Sequence, residues 1–98
     1  MMNDRFARFR EATAAALLRG SGATPTELRE ALAKGSAPPE LMDLVEKIRN
    51  QAYAVTDRDV SALKGRYTED QLFEIIIATA FGAAEERLAA ARQALERT

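Results

Sequence analysis

The stretch TEDQLFEIIIATAFGAAEERLAAARQALERT, residues 68–98, decides the fold. Thr68 stands three residues before Gln71, the spacing of a capping box, in which each side chain satisfies the other's backbone N–H at a helix start. No proline follows as far as Thr98 and Gly82 is the one interruption, so a single long C-terminal helix is predicted. Residues 72–84 are apolar on almost every side, with Glu74 the one charge, whereas the second half is alanine-rich and carries Glu85, Glu86, Arg87, Arg92, Glu96 and Arg97. A helix that is apolar all round has to be surrounded. The shorter helices upstream cover part of it, and a second subunit is the simplest cover for the rest. The expectation is a homo-oligomer; the alternative is a monomer whose helices wrap the long one completely.

Working back from that helix, Thr56-Asp57-Arg58-Asp59 offers another cap, with Asp59 in the place usually held by glutamate. A short helix follows to Lys64, with Val60 and Leu63 inward and Gly65 as its stop. Pro38-Pro39 opens a helix running to about Tyr53, in which Leu41, Leu44, Val45, Ile48 and Ala52 recur at helical spacing. Thr24-Pro25-Thr26-Glu27 reads as a capping box with proline at the first helical position, leading to Leu28 and Leu32 on the inner face and a stop at Gly35. The first segment, residues 4–19, aligns Phe6, Phe9, Thr13, Ala16 and Leu17 on one stripe, and Gly20-Ser21-Gly22 ends it. No strand-like alternation and no internal repeat occurs. The chain reads as one all-α domain, 1–98, of about five helices.

At 98 residues the chain buries only about two-thirds of the surface it exposes when unfolded, which leaves its stability modest. Fourteen basic against fifteen acidic side chains give a net charge of −1, so no overall field draws it to nucleic acid or anionic lipid. With neither cysteine nor histidine, the chain supplies no thiolate, disulfide or imidazole chemistry, and no cofactor or metal is called for. The longest apolar run, residues 75–84, falls short of the roughly 20 residues a membrane span requires, and no signal-peptide run opens the chain. A cytoplasmic location is the default expectation. Arg5, Arg8, Arg10 and Arg19 in the first helix are diluted by Asp4 and Glu11 and make a poor nucleic-acid surface.

Two segments, Tyr53-Ala54-Val55-Thr56-Asp57-Arg58-Asp59-Val60-Ser61-Ala62-Leu63 and Tyr67-Thr68-Glu69-Asp70-Gln71-Leu72-Phe73-Glu74, resemble the carboxymuconolactone decarboxylase family. The resemblance covers residues 39–95, behind N-terminal helices in residues 4–34. It implies the alkylhydroperoxidase AhpD-like fold, an all-helical unit that assembles into trimers or hexamers. Redox members of that family carry Cys-x-x-Cys and a histidine where this chain has residues 51–59, which contain neither, so peroxidase and disulfide-reductase activity are not implied.

Glu74 is the candidate catalytic residue. On a helix expected to be buried, a carboxylate has to be paired, hydrogen-bonded or protonated. The functional reading gives it a raised pKa and a proton-transfer role; the structural reading pairs it with Arg49, Arg58 or a tyrosine hydroxyl. Tyr53, Arg58 and Tyr67 flank the short helix and are the candidate ligand-binding side chains, with ring packing as the plainer account of the tyrosines. Asp57 and Asp59 read as caps in preference to a cation site. Two functions result: a homo-oligomeric interaction or small-ligand module without thiol chemistry, or a divergent decarboxylase or isomerase acting through Glu74.

Overall fold

The structure, a computed structural model, describes residues 4–98, with side chains from residue 8 onward. Arg5 and Phe6 therefore belong to a helix whose side chains there lie outside the description. The described chain is all-α: α1 (Asp4–Ala14) continuing into a π turn (Ala15–Arg19), α2 (Thr26–Ala33), α3 (Pro39–Asn50), a 3₁₀ turn (Ala52–Ala54), α4 (Asp57–Ser61) and α5 (Glu69–Arg97).

Both caps expected around the short helix form. The Thr56 hydroxyl accepts from the Asp59 N–H while the Asp59 carboxylate accepts from the Thr56 N–H, and Thr68 and Gln71 repeat the arrangement at the head of α5. The cap expected at Thr24 does not form. α2 starts one residue later behind Pro25, without a side-chain cap, because the Thr24 hydroxyl is engaged elsewhere. At its other end α2 stops as expected at Gly35, whose φ of +88° suits glycine alone. Gly35 N–H then donates to Leu32 O and Ser36 N–H to Ala31 O, the paired bonds of a Schellman stop.

The first segment departs from a uniform α-helix. Its last turn widens into a π turn, which places an extra residue per turn and rotates the side chains that follow. Leu18 reaches the core and Leu17 lies at its margin, while Phe9, upstream of the π turn, is 68 % exposed where the stripe placed it inward. The Thr13 hydroxyl donates back to Phe9 O at 2.9 Å just before the widening.

α5 supplies the floor of the core. Leu72, Ile75, Ala78, Thr79, Gly82 and Ala83 form its buried stripe, and α2 and α3 bring Leu32, Leu41, Leu44, Val45 and Ile48 against it. Thr79 is fully buried at no cost in hydrogen bonding, since its hydroxyl donates to Ile75 O. Gly82, which sits inside α5 without breaking it, marks where α2 crosses: a β-carbon there would stand 1.9 Å from Ala33 O. Backbone meets backbone at that point, and only glycine allows it.

α5 is long, at 29 residues, and beyond Asp70 its charges, apart from Glu74, fall within residues 85–97. Among the described residues, the alternative in which the chain's own helices wrap residues 72–84 completely is not what the structure has. Phe73 is 65 % exposed, Ala80 and Ala84 are exposed and Ile77 is half-buried. The upstream helices cover one side and stop. With α5 about 44 Å long at 1.5 Å per residue, the molecule measures 47 × 28 × 19 Å. Among the described residues no helix is long and apolar enough to cross a membrane.

Candidate functional site

Glu74 lies one turn into α5, on the side that faces the loop between the π turn and α2. Its carboxylate accepts from Ala23 N–H at 2.6 Å, from Thr24 N–H at 2.9 Å and from the Thr24 hydroxyl at 2.6 Å. Gly22 permits this approach, because a β-carbon there would come within 2.9 Å of the carboxyl group. Gln71, one turn earlier on α5, donates to Ala23 O at 3.3 Å. α5 thus grips both the amides and a carbonyl of the same loop.

The loop is gripped from the opposite side by Arg29, a residue of α2 only 3 % exposed. Its guanidinium donates to Leu17 O at 3.1 Å, to Thr24 O at 3.3 Å and to Gly20 O by a short bond. The carbonyls of Leu17 and Gly20 are left open where the π turn ends, and that of Thr24 belongs to the loop ahead of α2. Arg29 Nε stands 3.9 Å from the Glu74 carboxylate, so the two clamps also neutralise each other. A buried arginine costs several kcal/mol unless paired and hydrogen-bonded; here the two terminal nitrogens are hydrogen-bonded, and Nε, without a hydrogen bond of its own, faces the Glu74 carboxylate.

The donors around Glu74 decide its chemistry. The Thr24 hydroxyl first, then Ala23 N–H, with help from Thr24 N–H and the Arg29 charge, hold the carboxyl below the ordinary glutamate range despite partial burial. That is the opposite of the raised value a glutamic acid needs to donate a proton near neutral pH. Its partners are loop amides and Arg29, and none of the three proposed from sequence. Arg49 instead donates to Ala33 O and pairs with Glu86, on another side of α5. A cleft of about 140 Å³ does touch Glu74, lined also by Ala16, Leu17, Ser21, Phe73 and Ile77.

The other candidate residues gather elsewhere. The Tyr67 hydroxyl donates to Glu40 at 2.7 Å, which pushes the phenol pKa up and the carboxyl pKa down. Arg58 lines a separate cleft of about 220 Å³ with Glu40, Asp43 and Asp59, so Arg58 and Tyr67 share the neighbourhood of Glu40. Tyr53, expected near the end of a helix, lies in the 3₁₀ turn and is 88 % exposed. None of the three lines the cleft at Glu74. Asp59 accepts from Thr56 N–H and from Lys47 Nζ at 3.0 Å, which hold its carboxyl below the ordinary range and occupy it. Among the described residues no cluster of three or more metal-ligating side chains occurs.

Arg29 is the residue that sequence reasoning passed over. A signal for it existed: it shares a face with Leu32 and Ala33, at i+3 and i+4, and lies near a Gly-Ser-Gly loop whose carbonyls need donors.

Beyond the clamp, one further feature is exposed. The outward face of α5 carries Phe73, Ile77, Ala80, Ala84, Leu88, Ala91 and Leu95, of which Ile77 and Leu88 are half-buried and the rest exposed. Steps of three and four keep these seven side chains on one straight strip with no charge in it. The chain matches no family model, no curated protein and no solved structure.

Proposed function

We propose that this chain is a homo-oligomeric helical interaction module of the AhpD-like kind, without thiol redox chemistry. The uncovered apolar strip of α5 is the observation that carries this reading. A chain this small has little core to spare, yet it leaves Phe73 and Leu95 65 % and 74 % exposed on a helix whose opposite side is packed. The resemblance of residues 53–63 and 67–74 to the carboxymuconolactone decarboxylase family supports the same conclusion, since that family works as oligomers. The reading as a decarboxylase or isomerase loses its support at Glu74, where the carboxylate is saturated by loop donors and held ionised. Light scattering coupled to size exclusion at micromolar concentration tests the proposal. A mass of two or more chains is expected, and a monomer mass sinks it.

A further inference from the structure

The strip on α5 is self-complementary in one direction only. Laid against a copy of itself running the opposite way, with Ala84 facing Ala84, Phe73 falls opposite Leu95, Ile77 opposite Ala91 and Ala80 opposite Leu88. Ala80 and Ala91 each receive a larger partner and Ala84, on the axis, meets its own copy, a large-against-small alternation that lets two helix faces interdigitate at close range. Laid parallel in register, Phe73 meets Phe73 and Leu88 meets Leu88, while Ala80, Ala84 and Ala91 meet only each other and leave voids. We infer that two copies of this chain pair through antiparallel α5 helices about a two-fold axis at Ala84, an inference that rests on the oligomeric reading above and gives its geometry.

The charges next to the axis support this occupant. Glu85 is drawn to Arg10 at 2.9 Å, Glu86 pairs with Arg49, and Arg87 donates to Arg49 O. The three consecutive charged residues between Ala84 and Leu88 are thus tied back onto α1 and α3. The strip spans 23 residues from Phe73 to Leu95, about 33 Å of helix. Facing an equal strip, it buries on the order of 1,200 Å² in all, the lower bound for a stable specific interface. A two-fold pairing of this kind builds dimers and the even assemblies that contain them, and it excludes a bare trimer.

Because the chain has no cysteine, single-cysteine variants read the geometry directly. Ala84→Cys is expected to cross-link to itself under mild oxidation, since residues on the axis bring their Cα atoms within disulfide reach. Leu95→Cys alone is expected to stay uncrosslinked, whereas a mixture of Phe73→Cys and Leu95→Cys yields the mixed dimer. A second variant, Ala84→Glu, is solvent-exposed in the single chain. It is expected to keep the far-ultraviolet helical signal and to weaken association at least about 100-fold, by placing two like charges face to face. Self-crosslinking of Leu95→Cys, an oligomer in which Ala84→Cys does not link, or a trimeric mass each overturns the antiparallel pair while leaving the oligomeric proposal standing. A monomeric mass overturns both.

Discussion

Residues 69–83 and residues 84–97 belong to one uninterrupted helix and are held by different forces. The first half is fixed by tertiary contact. Leu72, Ile75, Ala78 and Thr79 are buried against α2 and α3, Gly82 meets the backbone of α2, and Glu74 and Gln71 grip a loop far away in sequence. The second half begins with three ionic or hydrogen-bonded ties, at Glu85, Glu86 and Arg87, and beyond them is sustained by the high helix propensity of Ala89, Ala90, Ala91 and Ala94. Helicity alone therefore says little about what stabilises a segment. In one half the helix is held chiefly by packing, and in the other local propensity contributes more.

Substitutions can break this contrast or sharpen it. The largest effect is expected at Gly82→Ala, where the new methyl has no space against Ala33 O. Urea titration should show a loss of about 3 kcal/mol or more, and a loss under about 1 kcal/mol would mean that α2 does not cross there. Next comes Arg29→Met, which leaves the carbonyls of Leu17, Gly20 and Thr24 without donors and Glu74 without its countercharge. A drop of about 2–3 kcal/mol is expected, with the region around residues 17–24 losing amide protection first.

Glu74→Gln follows, at about 1–2 kcal/mol near pH 7, because an amide accepts more weakly than a carboxylate and forfeits the charge. The sign of its pH dependence is fixed by the lowered pKa. Glu74 binds its proton less readily folded than unfolded, so its contribution is complete above the ordinary carboxylate range and is lost as pH falls through the folded value. The gap between wild type and Glu74→Gln should therefore narrow on acidification below about pH 4. A gap that widens instead would point to a raised pKa and revive the proton-transfer reading. The smallest effect belongs to the far half. Ala89→Gly should change global stability by less than about 0.5 kcal/mol while speeding hydrogen exchange over residues 86–97, whereas Ala78→Gly in the buried stripe should cost about 1 kcal/mol or more globally. Equal global costs would abolish the distinction between the halves.

What the sequence disclosed followed the range of the interaction. The caps at Thr56 and Thr68 were legible because both partners sit within three residues, and so were the starts at Pro39 and Glu69 and the stop at Gly35. The buried face of α3 was legible from spacing alone. Thr24 carried the same local signal as the other two caps and does something else, because a carboxylate 50 residues away competes for its hydroxyl and N–H. The first helix is turned by about one residue from the stripe expected, its less exposed side running through Arg10, Thr13, Ala14 and Leu17, which leaves Phe9 outside. At the candidate site, the special standing of Glu74 could be read from its apolar setting, but its partners could not, since they depend on which side of α5 the first loop passes. Tyr53, Arg58 and Tyr67 were joined by closeness in sequence, and the turns after α3 and α4 separate Tyr53 from the other two.

The grip of α5 on the first loop also sets an order of events during synthesis. Residues 4–66 leave the ribosome before the helix that supplies the floor of their core, the crossing point at Gly82 and the carboxylate that holds the amides of Ala23 and Thr24. Until then α2 and α3 have little to pack on, and Arg29 has no countercharge at Glu74. Packing of α2 and α3 is thereby deferred until α5 has emerged.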